Sequence, residues 1–412
     1  MSEGAPPLVS VVIATYNWSS VLRYAVASAL AQTLGAIEVL VVGDACTDDS
    51  EQVVAAFGDP RLVWHNLAEN SGSQAGPNNA GLALARGEYV AYLGHDDLWH
   101  PTHLETLVEL ARRGRGDIFY ALAAIVHPDG ERQISGLTAA GELAPGEFVV
   151  PSSLLHRRSL VEEIGLWPDP DTVHLPIDAE WLERARRAGK VFVASERLTV
   201  FKFPSSTRKG SYRERPSHEQ AALARRLREE PDLQFRELLE ITRSFLVRGP
   251  RPVGAPVLIE NAPPGWHTRK LRQLRGLDTP DAPMEPLPAD LPSESFGLRV
   301  ESVPPRAAPG ERLAVAVEVR NGSEHTLAST FPNPVHLSYH WLRPDGKVAL
   351  FDGLRSALFL PLPPGAAAVY PVAVTTPDAP GRYTLRLALV QEEVRWYEAP
   401  REGAEWEVEV LA

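Results

Sequence analysis

Apolar residues recur along this chain with two different periods. In the first half, short runs of aliphatic and β-branched residues (8–14, 37–42, 61–65 and 88–93) alternate with stretches whose apolar positions repeat every three to four residues. Val21, Leu22, Ala25, Val26, Ala29 and Leu30 are the clearest such set, after Ser19 or Ser20 as a cap. The runs predict buried strands. The helical spacing predicts helices from 19 to 30, up to Phe57, from 78 to 85 and from 101 to 111. Alternating elements of this kind predict an α/β fold with a parallel, doubly wound sheet, closed by strands at 191–194 and 198–202, its loops opening on one edge.

From Phe296 the period becomes two. Residues 313–319, 336–341, 368–374 and 382–390 predict strands separated by Pro-Asp-Gly and Pro-Gly turns, an all-β sandwich. Between the two regions, 217–247 carries two helical patterns broken near Pro231, and 250–292 is too rich in proline for a regular core element. The expected organisation is an α/β domain over 1–215, bracing helices over 216–248, a proline-rich connector over 249–295 and a β-sandwich over 296–412.

Composition narrows the classes. A length of 412 residues suggests two or three domains, and a formal net charge of -12 argues against nucleic-acid binding. The single cysteine, Cys46, excludes an internal disulfide and fits a reducing compartment. Residues 1–7 lack the basic region and apolar stretch of a secretory signal, and the apolar run 117–126 is shorter than the roughly 20 residues a membrane helix needs. A soluble, cytoplasmic protein is expected. The basic segment 266–275 reads as a solvated helix, with peripheral contact at the inner face of a membrane as its alternative.

The apolar run 88–93 leads straight into Asp96 and Asp97. The end of a buried parallel strand is where open α/β sheets place ligands. Two adjacent carboxylates repel each other unless a cation or several donors offset the charge, so a divalent metal is a natural partner. The competing reading is that the pair caps the helix at 101–111. The glycine-bearing loop 71–76 fits neither a Walker loop nor a dinucleotide fingerprint.

Residues 9–17, 39–49, 70–93 and the Asp96-Asp97 pair, in that order, resemble the successive blocks of the nucleotide-sugar domain of family 2 glycosyltransferases. The resemblance covers the first half of the chain. It implies a GT-A fold, a nucleoside-diphosphate sugar donor, a glycan or glycolipid acceptor, an inverting transfer, and Mn²⁺ or Mg²⁺ as cofactor. By the same resemblance Asp44 accepts hydrogen bonds from the base, Ala14, Thr15 and Tyr16 line the base pocket, and Asn17 and Asn79 belong to the nucleotide site. Asp96 lies near the ribose and the metal, and Asp97 holds the metal that bridges the diphosphate and stabilises its departing charge. Three positions depart from the pattern: Gly43 and Gly94 stand where acidic residues are usual, and Asn78 where a basic residue commonly precedes Asn79.

Residues 152–167 resemble the family's strand, Arg-Arg pair and short helix ending in glycine. Asp178 matches the aspartate that opens the following helix and serves as catalytic base, with Ile177 in place of the usual preceding acid. On local sequence Asp178 is either an N-cap or a base, since a carboxylate at a helix start is held ionised. Trp167, His174 and Trp181 flank it as a candidate acceptor-binding wall, with core packing the alternative for Trp181. Residues 203–212, polar and basic, fit a lid over the diphosphate or an ordinary surface loop.

Pro380-Gly381-Arg382-Tyr383, Trp341 and Trp396 resemble, more weakly, the immunoglobulin-like modules appended to some bacterial glycosyltransferases. Gln391 to Trp396 lacks the spacing of the signature of processive synthases. The expected activity is therefore transfer of one sugar to a glycan, lipid-linked or protein-linked hydroxyl in polysaccharide or cell-envelope biosynthesis. Two rivals stand against it: a degenerate nucleotide- or sugar-binding protein whose sandwich contacts a carbohydrate or partner, and a two-carboxylate glycoside hydrolase.

Overall fold

The computed structural model describes residues 6–114, 116–137, 149–208, 210–248, 264–277, 287–288, 290–300, 303–329, 334–358, 361–398 and 403–411. They fall into two compact units, Met1–Ala255 with Arg275–Leu277, and Pro256–Leu274 with Asp278–Ala412.

In the first unit β1 (Val9–Thr15), β2 (Ile37–Gly43), β3 (Leu62–Asn66) and β4 (Tyr89–Tyr92) pair in parallel in the order β3-β2-β1-β4. β2 is buried along its whole length, as a continuous apolar run in a covered parallel sheet requires. The crossovers are α1 (Ser19–Leu30), α2 (Ser50–Ala55) and α3 (Ala75–Leu84). α1 buries Val21, Leu22, Ala25, Val26 and Ala29, the face its spacing predicts.

Beyond β4 the sheet is mixed rather than parallel. β5 (Leu98–Trp99), α4 (His103–Arg112), β6 (Ile118–Val126), β7 (Arg132–Ser135), β8 (Leu154–Arg157), α5 (Leu160–Ile164), α6 (Ile177–Arg187) and β9 (Phe192–Lys202) complete nine strands, ordered β3-β2-β1-β4-β8-β6-β9-β5 with β7 on β6. β8 is antiparallel to β4 and β6, and β5 is antiparallel to β9, while β9 runs parallel to β6. A parallel neighbour needs a crossover, usually helical, and no helix separates β4 from β5 or β6 from β7. The two expected closing strands are one strand, β9, with register shifts opposite Ala121 to Ala123.

α7 (Ser211–Glu214), α8 (His218–Glu229) and α9 (Leu233–Arg248) follow, and the break at Pro231 lies where a proline ends a helix. The segment read as a basic helix is α10 (Trp266–Arg275). The proline-rich stretches 249–263 and 278–286 lie outside the described residues. No helix among the described residues is long and apolar enough to cross a membrane.

From Phe296 onward the second unit is built of strands: β10 (Phe296–Val300), β11 (Arg306–Ala307), β12 (Arg312–Asn321), β13 (Val335–Leu342), β14 (Val348–Leu350), β15 (Ser356–Ala357), β16 (Ala367–Thr375), β17 (Gly381–Gln391), β18 (Arg395–Glu398) and β19 (Glu405–Val410). One sheet is β10-β12-β16. The other is β11-β19-β17-β13-β14, with β15 on β13 and β18 on β17. Val315, Val317 and Val319 of one and Leu385, Leu387 and Leu389 of the other share a core. In β12 these valines alternate with more exposed residues, the period of two seen in the sequence.

Candidate active site

The chain leaves β4 through Leu93 and Gly94 and presents Asp96 and Asp97 past the strand's carboxyl end. Leu98 pairs with Phe201 and Trp99 with Val200, so continuing that antiparallel ladder one step sets Asp97 opposite Lys202. The Lys202 Nζ lies 3.2 and 3.0 Å from the two Asp97 carboxylate oxygens and 3.9 Å from Asp96 Oδ1. Ser152 Oγ donates to Asp97 Oδ2 at 2.5 Å and the Phe203 N–H to Oδ1 at 3.0 Å. Asp97 is thus fully buried with both oxygens engaged. Burial pushes its carboxyl above the ordinary range, and the Lys202 charge pulls the other way. Burial works against the Lys202 ammonium, but Asp97 and Asp96 more than offset it, so the group is held charged.

This packing accounts for one departure from the family pattern. A Cβ at Gly94 would stand 2.6 Å from Asp97 Oδ2 and 3.2 Å from Asp96 Oδ1. The carboxylates occupy the space a side chain at 94 would take. At Gly43 the space is filled by Asn66 Oδ1, which would lie 2.4 Å from a Cβ there, and by the Trp64 ring.

As arranged, Asp97 offers no open oxygen to a divalent metal. A metal ligand needs an oxygen lone pair turned to an open position, whereas three donors from β9, its following residue and the turn before β8 cover Asp97. Among the described residues no three His, Cys, Asp or Glu side chains converge to hold an ion. The counter-charge of the pair in this arrangement is Lys202.

Around the pair lies a buried polar chain. Thr15 Oγ1 is 2.8 Å from His95 Nδ1, and His95 Nε2 is 2.9 Å from the Tyr212 hydroxyl. Burial lowers His95 to about 3, which keeps it neutral, and raises Tyr212 to about 12. Trp18 packs edge-on to both rings. The Arg275 guanidinium sits 5.4 Å from the Tyr212 ring centroid, with Nε donating to Ser205 Oγ at 2.8 Å. Residues 203–208 and 210–212 therefore pack onto the site, where sequence allowed a lid or a free loop.

The base-side residues divide between lining and support. Ala14 and Tyr16 are half-buried at the end of β1. Asn17 adopts a left-handed φ of 43°, and its Oδ1 accepts from the Thr47 and Asp48 N–H groups at 2.7 and 3.1 Å. It shapes the loop after β2. Asp44 is buried there, its Oδ1 accepting from Ser71 N at 2.7 Å, which ties the 70–74 loop to the same edge. Asn79 points elsewhere. Its amide binds the Trp167 backbone at both ends, Nδ2 to O at 3.0 Å and Oδ1 from N at 2.9 Å.

Asp178 is the second residue of α6, which Pro176 flanks, and not its cap. The carboxylate is half-buried and accepts from Ala179 N at 3.0 Å. Burial raises its pKa, while the backbone N–H groups, Lys202 and Arg275 pull it back. The expected acceptor wall does not form from the two indoles: Trp181 is 0% and Trp167 3% exposed, stacked 5.3 Å apart at 6° in the core. Only His174 of the three is exposed.

Sequence reading missed Lys202, Ser152, Tyr212 and Arg275. Lys202 left one trace, a charge ending an otherwise apolar strand; the others left none.

Residues 10–146 match the family model "Glycosyl transferase family 2". Over those residues the chain is similar to that family, and the match stops short of Ser152, Asp178 and Lys202. The succinoglycan biosynthesis protein ExoO of Rhizobium meliloti (strain 1021) is 37% identical across 124 residues, 30% of this chain and 35% of that protein. The Escherichia coli UDP-Glc:alpha-D-GlcNAc-diphosphoundecaprenol beta-1,3-glucosyltransferase WfaP is 35% identical across 101 residues, 24% of this chain and 40% of that protein. The first curated relatives are matched over 33%, 33% and 32% of their own length, about a third. S. aureus TarS aligns at a TM-score of 0.41 and 14% identity, covering 98% of this chain and 77% of that one, too loosely to carry a residue-level argument.

Proposed function

We propose that the family 2 domain transfers one sugar from a nucleoside-diphosphate donor to a hydroxyl of a polysaccharide or lipid-linked acceptor, with inversion. The observation that carries this reading is the Asp96-Asp97 pair past the carboxyl end of β4, within the residues that match the family model, with the Lys202 ammonium 3.0 Å from Asp97. A site that holds a diphosphate needs such fixed positive charge beside it. The family match and the glycan-building relatives support the same class of reaction.

In this reading the acceptor oxygen attacks the anomeric carbon as its proton passes to an Asp178 carboxylate oxygen. The bond from that carbon to the diphosphate oxygen breaks, and its electron pair leaves with the nucleoside diphosphate. A single displacement inverts the anomeric centre. Asp44 takes the base, Ala14, Thr15 and Tyr16 line its pocket, and Asp96 faces the ribose. Donor hydrolysis measured across UDP-, GDP- and dTDP-sugars tests the reading. One base class should be turned over, and a chain that turns over none while binding free glycans would instead be a carbohydrate-binding protein.

A further inference from the structure

We propose that Lys202 is the resident cation of this site, taking the place of a divalent metal and facing the donor's diphosphate. The proposal rests on the donor reading of the site. Its first support is that the lysine is built in by the sheet. The β5–β9 register sets Lys202 against Asp97, and the next backbone N–H, that of Phe203, bonds the same carboxylate.

The second support is the order of exposure. The side chains of Asp97, Asp96 and Lys202 are 0%, 9% and 22% exposed. Lys202 is thus the most exposed side chain of the three. An ammonium has three N–H donors. Two of them suffice for the Asp97 oxygens, and the third is left for a phosphoryl oxygen. The carboxylates then act as the lysine's anchor, holding a flexible side chain in one geometry.

The third support is the charge balance. Asp96 and Asp97 bring two negative charges, and Lys202 with Arg275 bring two positive ones to the same region. Lys202 and Arg275 thus already offset the acid pair, and the Gly94 backbone leaves no room for a further acidic ligand on this turn. Positive charge fixed at the developing leaving group does the electrostatic work of a Lewis acid without an exchangeable ion.

Isothermal titration of the full chain with UDP, GDP and dTDP, after chelator treatment and again with added Mn²⁺, tests the proposal. One nucleotide should bind in chelator with an affinity that Mn²⁺ leaves essentially unchanged. Lys202→Met should weaken it by about 10- to 100-fold, the loss expected for one charge-assisted hydrogen bond. Part of that loss should return with Mn²⁺, because the vacated carboxylates become free to ligate, and Lys202→Arg should retain more affinity than Lys202→Met. Wild-type binding that requires Mn²⁺ overturns the lysine assignment alone, whether or not the variants fold. If no nucleotide binds with or without the ion, the donor reading fails and this proposal falls with it.

Discussion

The indole of Trp181 lies flat on that of Trp167, with ring centroids 5.3 Å apart and an interplanar angle of 6°. Trp181 also donates Nε1 to the Gly165 carbonyl at 3.3 Å, closing the start of α6 onto the turn after α5. Neither ring offers a face to a sugar. Trp181→Ala should cost about 3–5 kcal/mol of stability, as removal of a buried aromatic does. Trp181→Phe should lose less and leave the acceptor KM unchanged. Thermal denaturation and acceptor titration read the two effects separately, and a raised acceptor KM in a stable Trp181→Phe protein would return this residue to the acceptor site.

Asp178→Asn keeps the side-chain size and the bond from Ala179 N but cannot take a proton at neutral pH. Transfer should fall about 10²- to 10⁴-fold, with nucleoside-diphosphate binding kept. Because burial raises the native carboxyl, ionised Asp178 costs stability at pH values above its native pKa. That cost is relieved as pH falls toward the unfolded value of about 3.9. The amide variant should therefore be at least as stable as wild type at pH 7, by calorimetry.

The same shift sets the acid limb of the pH profile. Asp178 accepts a proton only when ionised, so kcat/KM should decline as pH falls through its raised pKa, at a higher pH than an ordinary aspartate would give. His95 contributes nothing to this limb in the neutral range, since burial holds it near about 3. A kcat/KM profile from pH 4 to pH 8 checks the position of the limb.

Asn17 joins β1 to the loop after β2 through its left-handed backbone and the two N–H groups its Oδ1 accepts. Asn17→Gly and Asn17→Ala both remove the side-chain bonds, but glycine adopts this backbone conformation freely whereas alanine keeps the steric cost of a Cβ there. Both should weaken nucleotide binding, and the alanine variant should be the less stable by about 1 kcal/mol. Equal stabilities would show that the loop relaxes out of the left-handed conformation.

Gly94→Ala places a Cβ where Asp97 Oδ2 stands, at 2.6 Å. The carboxylate must turn away from Ser152 and Lys202, so stability should drop by about 1–3 kcal/mol and nucleotide affinity should fall with it. Titration calorimetry of the folded variant separates this from simple unfolding.

The strands β1, β2 and β4, the amphipathic α1 and the alternating β12, β13, β16 and β17 were legible because each is a local pattern. Side-chain period follows directly from backbone geometry. The edge on which Asp44, Asp96 and Asp97 gather was legible too, since parallel strands with short loops deliver their carboxyl ends together. Strand direction beyond β4 was not. β8 is four residues long and carries no mark of whether it runs with or against its neighbours.

By itself the sequence determined the two hydrophobic periods, the resemblance of its first half to one family and the two carboxylates at the end of β4. Only the tertiary structure decided what those carboxylates face. Asp97 and Lys202 are 105 positions apart and meet through the register of β5 on β9, a pairing of long-range hydrogen bonds that no local spacing encodes. Trp181 likewise left the acceptor site for the core because α6 packs over β4, bringing its indole onto Trp167 and Tyr92 and away from solvent.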